Sequence, residues 1–526
     1  MKNTSDPRET GSGNARSSAA PMPRRMFLGS CFGAFEGCLA FQSGLKEAFH
    51  TGGCETLLSA AGAAQVDSRV ELDSSDSRLN EGFRWAKNQA LAYVFIGDPV
   101  GPWYEAALPG RQAFCMRDTA HQSTGAQILG LAACNENMLG KFAQNISASK
   151  DWCSYWEINK DNIPAPVDYV SDRDFWYNLP ANFDVLDACY RQFLWTGNKA
   201  YLDPVFLNFY THTVTDYVKK WDIQGDGLLE HLPEYGHRGI ASYEEQHIGE
   251  TRVGADLLAA QFAAYLDYAQ IQSWGGDHAS AEEFSAKASH LKSLYNKDWW
   301  NDSRGSFFAA IGNDGQFIAN LGPGSGSNVL FPLYCSLIDA GQKTEVALAE
   351  ISARFPVDDK AVGGVEEGSY LPEILYRYGR ADVAYRALQG LLAPTLKRRE
   401  YPEVSFAAVG ACATGLMGLS ANSVRNTVAT FPQLSAIEWV ELKHVPIFAN
   451  QVSVRHVGNR KTTFTNESGT SLQWRASFPG RFEKLTVDGK QTTANSGTRL
   501  GGATETWTLV PVDRGAKHTV EAVEKV

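Results

Sequence analysis

Carboxylates and cations crowd four short stretches of this chain: "CMRDTAHQ" at 115–122, "SYEEQ" at 242–246, "VEEGSY" at 365–370 and "KRREYPEVS" at 397–405. Each stands at or just before the start of an apolar run. Adjacent carboxylates such as Glu244–Glu245 and Glu366–Glu367 repel when both ionise, which raises one pKa toward the range a general acid needs. Glu403 sits beside Pro402 at the entrance to "VSFAAVGACATGLMG". A helix dipole favours a bare carboxylate there, the state a general base needs. Arg117, Asp118 and His121 bring a cation, an anion and an imidazole to one helix start, with His121 one turn beyond Arg117 on the same face. "DFWYNLP" at 174–180 offers Trp176 for stacking and Asn178 as a polar contact.

Each stretch also has a plainer reading. Ser-Tyr-Glu-Glu at 242–245 fits a capping box, and Arg117 with Asp118 fits an ion pair tying a helix to its loop. Glu403 fits an ordinary first-turn glutamate, His121 a buried and satisfied imidazole, and Trp176 core packing. Lys397–Glu400, which includes Arg399 and Glu400, fits a solvated charged loop. The residue types alone leave both sets open.

Composition narrows the function classes. A net charge of −11 over 526 residues offers no basic excess to neutralise phosphates, which argues against nucleic acid. None of the nine cysteines forms a Cys-x-x-Cys pair, so a structural zinc site is not expected. Cys134, Cys189, Cys335 and Cys412 fall in apolar helical runs and read as buried thiols, while Cys115 and Cys153 could pair. "DIQGDGLLE" at 222–230 lacks the ligand spacing of an EF-hand. No cofactor or metal is expected, and Gly-x-Ser-x-Gly is absent. No stretch after the leader is apolar for long enough to span a bilayer.

The elements that position these residues come in pairs. Glycines near 197, 276, 341 and 379 each end one helical run and open the next, the pattern of an αα-hairpin. The first run of each pair is apolar nearly all round and the second carries a charged face, which predicts an inner and an outer layer. Six inner helices, starting near 118, 181, 253, 326, 367 and 404, predict a mainly α fold, an (α/α)6 barrel over 81–425. If the inner helices run parallel, the polar stretches before them share one end and form an acidic pocket. Beyond about 425, Val/Thr/Phe-rich runs cut by Gly, Asn and Asp predict a C-terminal β-sandwich over 426–526. Residues 1–80 read as leader. Arg24–Arg25 followed by a moderate apolar run resembles a twin-arginine export signal, and "SAAGAAQ" at 59–65 suits cleavage, so export to the periplasm or beyond is expected.

"CMRDTAHQ", "GDGLLEH" with "GIASYEEQ", and "GSYLPEILYRYG" followed by "KRREYPEVSFAAVGACATGLMGL" resemble the six-hairpin glycosidases over roughly 85–520. They are most similar to bacterial β-glucuronidases of glycoside hydrolase family 154. The resemblance implies an inverting exo-glycosidase acting on a plant or microbial glycan. It implies an acid from mid-barrel (Glu245 or Glu244, with Glu250 nearby) and a base from late in the barrel (Glu403, then Glu367). Arg117, Asp118, His121, Trp176, Asn178 and Glu366 would contact sugar. A uronate would need Arg252, Arg399 or Arg238, with Glu400 beside them. An α-L-rhamnosidase, a uronate polysaccharide lyase and a non-catalytic glycan-binding protein are the alternatives.

Overall fold

The computed structural model describes residues 67–245, 248–321, 328–354 and 364–525. Arg24, Arg25, the 59–65 stretch, Cys31, Cys38 and Cys54 lie outside them. Twelve α-helices of five residues or more carry the first part of the described chain: α1 Ser77–Ala92, α2 Met116–Ile128, α3 Ala132–Gln144, α4 Pro180–Thr196, α5 Pro204–His212, α6 Ala255–Gly275, α7 His278–Asp298, α8 Leu330–Tyr334, α9 Gln342–Arg354, α10 Val365–Arg377, α11 Ala381–Leu392 and α12 Pro402–Gly410. Local chemistry sets their ends. Proline at the first position opens α4, α5 and α12, where a missing N–H costs nothing. Gly197 (φ 67°) and Gly276 (φ 85°) close α4 and α6 in the left-handed conformation that glycine adopts without strain.

The predicted pairing is visible in the packing. Helices α2, α4, α6, α8, α10 and α12 each pack on the next, and α12 packs back on α2, so the inner helices close a ring. Their partners α3, α7, α9 and α11 lie against α2, α6, α8 and α10, and α1 covers α12. Helix α5 continues through a π-helical stretch, Thr213–Tyr217, that packs on α6. Helix α8 is much shorter than the apolar run around it suggests; Ser336, at φ 63°, turns the chain out of the helix.

Two sheets follow. A five-stranded sheet has the order Ser420–Asn422, Thr427–Thr430, Leu472–Pro479, Thr504–Val512, Asn495–Thr498. A seven-stranded sheet is built around Trp439–Ile447, Asn450–Val457, Lys461–Ser468 and Lys517–Lys525. Phe464 of the second stacks on Trp474 of the first, with centroids 5.2 Å apart, so the sheets pack face to face. The strand Glu71–Ser74 pairs antiparallel with Val440–Lys443 and forms the edge of the larger sheet. Part of the span read as leader therefore belongs to the folded β domain, where Val70 and Leu72 bury their side chains.

Where α12 meets α2, the two backbones come close at one glycine. A Cβ at Gly125 of α2 would lie 2.0 Å from the carbonyl oxygen of Phe406 in α12. Gly125→Ala is expected to destabilise the protein by about 1–3 kcal/mol, as overpacking does. Gly140→Ala, whose Cβ would meet only Phe206 at 3.6 Å, should be neutral or slightly stabilising. Thermal or denaturant unfolding of the two variants checks this contrast.

Candidate active site

The first turns of the inner helices and the loops before them surround a cavity of about 110 Å3. Helix α2 and its approach supply Arg111, Cys115, Arg117 and Asp118, and α10 supplies Glu366, Glu367 and Tyr370. Tyr243, Glu244 and Glu245 come from the loop before α6, Asp256 from its first turn, and Tyr401 from the residue before α12. Trp156, Leu330 and Phe331 add apolar wall. The polar stretches that the sequence scatters over 290 residues thus meet at one place, as parallel inner helices require.

Arg117 organises the floor. It donates to Asp118 Oδ1 at 3.1 Å and to Glu403 Oε1 at 3.4 Å, and lies 3.8 Å from Glu366 Oε2. Burial opposes its charge, but Asp118 and Glu403 more than offset that and hold the proton on well above the ordinary range. Asp118 also accepts from Tyr401 Oη at 2.8 Å and contacts Cys115 Sγ. Glu366 accepts from Arg398 at 2.7 Å. Cys134, Cys153, Cys189, Cys335 and Cys412 are free thiols, so Cys115 and Cys153 do not pair.

Glu403 differs from its expectation. It lies in the first turn of α12, yet it is 1% exposed and is not part of the cavity wall. Burial pushes its pKa up to about 8; Arg117 pulls it down, and Asp118 and Glu367 push it up again. Desolvation is the largest influence on the group and favours its protonated form. Its Oε1 lies 2.6 Å from His121 Nδ1. Burial lowers the His121 pKa to about 3, and the ring stacks on Tyr370 with centroids 3.5 Å apart. A protonated Glu403 and a neutral His121 are complementary across that short contact.

Glu367 and Glu366 have raised pKa values. Burial is the main cause for both; the Glu366 charge adds to the shift of Glu367, whereas Arg117 and Arg398 oppose that of Glu366. Asp256 accepts from Tyr243 N at 2.6 Å, Ser242 Oγ at 3.0 Å and Leu257 N at 3.0 Å, which shapes the turn that carries Glu244 and Glu245. Burial raises its pKa to about 6. Gly254 makes this possible, since a Cβ there would lie 2.4 Å from Asp256 Oδ1. Asp184 of α4 binds the Tyr243 hydroxyl and is raised by burial to about 7. Sequence reasoning passed over Asp256 and Asp184; an acidic residue in the first turns of two otherwise apolar helices was the available signal.

Several expected sugar contacts lie elsewhere. The Trp176 indole donates to Asn178 Oδ1 at 2.9 Å, and Asn178 donates to Ser242 O at 2.9 Å, so the pair braces the acidic turn from behind. Arg252 pairs with Glu230 at 2.5 Å and Arg238 with Asp151 at 2.6 Å. Arg399 lies 3.5 Å above the Trp85 ring and donates to Leu392 O, and the Glu400 side chain is exposed. None of these lines the cavity. In the 222–230 loop, Asp222 and Glu230 accept from the loop's own backbone N–H groups. Among the described residues no helix is long and apolar enough to cross a membrane.

No protein-family model matches the sequence, and no curated protein sequence is similar to it. Solved structures do match. An α-L-rhamnosidase from Dictyoglumus thermophilum superposes with a TM-score of 0.58 at 13% identity, over 87% of this chain and 50% of that one. The fold is shared. A GH78 family rhamnosidase of Bacillus sp. GL1 gives a TM-score of 0.55 at 16% identity, over 77% of this chain and 41% of that one. An α-L-rhamnosidase from Aspergillus terreus gives 0.52 at 15% identity, over 86% and 51%. The chain spans about half the length of these structures or less.

Because the folded pKa of Glu403 lies above its unfolded value, burial of the protonated form stabilises the protein most at low pH. That contribution is lost as pH rises from about 4.5 to about 8. Asp184 and Asp256 act in the same direction. Glu403→Gln, which cannot ionise, is expected to flatten the fall in unfolding free energy across this window. Denaturant titrations of both proteins at several pH values measure the difference, and parallel curves would contradict the assignment.

Proposed function

We propose that this protein is a glycoside hydrolase working with paired carboxyl groups at the mouth of a six-hairpin (α/α)6 barrel. The observation that carries the proposal is the cavity itself, where carboxyl groups from the loop before α6 (Glu244, Glu245) and from α10 (Glu366, Glu367) line one space. Glycoside hydrolysis needs one protonated and one ionised carboxyl flanking the scissile bond. In this reading Glu367 is the proton donor, because burial and the neighbouring Glu366 favour its protonated form. Glu244 or Glu245 is the ionised partner, which reverses the roles that the family resemblance implies. Arg117 and Asp118 fix the floor beneath the sugar, with His121 and Glu403 behind them as positioning residues. The shared fold with rhamnosidases supports the reaction class.

Charge balance bears on the sugar. Six carboxyl groups line the cavity against two guanidinium groups, Arg111 and Arg117. Both guanidiniums already face carboxylates, Arg111 meeting Glu157 at 3.1 Å. The arginines expected to hold a uronate are engaged elsewhere. A neutral sugar therefore fits better than a uronic acid, and the Leu108, Leu330 and Phe331 side chains suit an apolar substituent. We place an α-L-rhamnoside ahead of a β-glucuronide. A lyase fits less well, because burial pushes the hydroxyls of Tyr243, Tyr370 and Tyr401 well above the usual range and keeps them protonated, so none offers a phenolate base. The Arg24–Arg25 leader adds export to the proposal.

A panel of nitrophenyl glycosides tests this. Turnover of the α-L-rhamnoside above the β-D-glucuronide is expected, with Glu367→Gln lowering kcat by about 10²–10⁴-fold, the usual worth of a general acid. Unchanged turnover in both Glu367→Gln and Glu245→Gln would refute the mechanism, and an ultraviolet-absorbing unsaturated product would move the protein to the lyases.

A further inference from the structure

A second cavity, of about 260 Å3, opens at the other end of the inner helices, between the ring and the five-stranded sheet. Its walls come from Arg191 of α4, Glu373 and Arg377 of α10, and Arg475, Ser477 and Arg499 of the β domain. Glu366 in the first cavity and Arg377 in the second are eleven residues apart on α10, roughly 16 Å along the helix axis. The two cavities are thus separate places in the fold.

Four guanidinium groups facing one space are notable in a chain with a net charge of −11. Their protein partners do not exhaust them. Arg191 pairs with Asp187 at 2.8 Å and donates to Thr124 and Tyr334, yet its buried Nε has no partner among the described residues. Arg475 and Arg499 share Glu505, at 2.5 and 3.2 Å, each through one nitrogen. A guanidinium carries five N–H donors, so most of those on Arg475 and Arg499 remain unspent. Arg475 lies 4.5 Å above the Trp507 ring and Arg499 lies 3.9 Å above the Phe431 ring. Each guanidinium thus has an aromatic ring on one side, and its N–H groups not bonded to Glu505 are left for a ligand. Ser477 is 1% exposed, and its hydroxyl also lacks a hydrogen-bond partner among the described residues.

Burial and the neighbouring Asp187 push the Asp267 carboxyl well above the usual range, toward its neutral form, so four guanidiniums face Glu373, Glu505 and Asp187 with one positive charge in excess. We infer that this cavity binds a small oxyanion group, held by the Arg475 and Arg499 edges and the Ser477 hydroxyl, with Arg191 and Arg377 closing the ring side. Free phosphate or sulfate and the carboxylate of a sugar acid share this chemistry. The site stands apart from the proposed catalytic residues and does not depend on which glycoside is cleaved.

Calorimetric titration of the full chain with sodium sulfate, sodium phosphate and sodium glucuronate, at fixed chloride, tests the inference. Saturable binding of at least one probe is expected. Arg475→Gln and Arg499→Gln should each weaken it about tenfold or more, the usual worth of a charged hydrogen bond. Glu505→Gln, which removes a competing carboxylate, should tighten it. Tighter binding of sulfate and phosphate than of glucuronate assigns the site to a tetrahedral anion, and the reverse order assigns it to a sugar acid. Glu367→Gln should leave binding unchanged, which separates this site from the first cavity; circular dichroism confirms that each variant is folded. No saturable binding by any probe, or binding that survives both arginine variants or falls with Glu367→Gln, would overturn the inference.

Discussion

One buried guanidinium links three helices. Arg117 extends from α2 to its neighbour Asp118, to Glu403 of α12 and toward Glu366 of α10. Removing such a cation would leave several carboxyl groups buried without compensation, a cost far above that of an exposed ion pair. The ring of helices supplies the low-dielectric surroundings, and Arg117 makes the concentration of acidic groups at its mouth tolerable. Everything chemical about the cavity depends on that balance. It is why Glu366 is paired, and why Glu403 is a buried acid against a neutral His121.

The same balance divides the carboxyl groups by task. Asp256 spends its oxygens on the backbone of the turn before α6, and Asp184 spends one on Tyr243. These two build the wall. Glu244, Glu245 and Glu367 stand on that wall at the edge of the space.

The closed ring also explains the two-ended character of the molecule. Parallel inner helices put their first turns, rich in acidic residues, at one end. Their last turns, which carry Arg191 and Arg377, meet the β domain at the other. The net effect is an acidic cavity at one mouth and an arginine-lined one at the interface between helices and sheet. The strand Glu71–Ser74 joins the seven-stranded sheet just before α1, so the chain binds the β domain before it enters the ring.

Much of this was legible in the sequence. Apolar first runs, charged second runs and the glycines at 197 and 276 specify paired helices because burial and left-handed turns are local demands. The convergence of residues 117, 244, 366 and 403 follows once the inner helices are taken as parallel. The direction of the Glu403 shift was not legible, since a first-turn dipole and complete desolvation act oppositely and only packing says which is larger. Nor was the engagement of Arg252, Arg238 and Arg399 by partners away from the cavity, because an arginine's long side chain can reach in several directions. The arginine-lined cavity joins residues 191, 377, 475 and 499 across two parts of the chain with no shared motif. Periodicity and turn chemistry act over a few residues and can be read in order; desolvation and charge pairing act through space, and only the folded chain decides them.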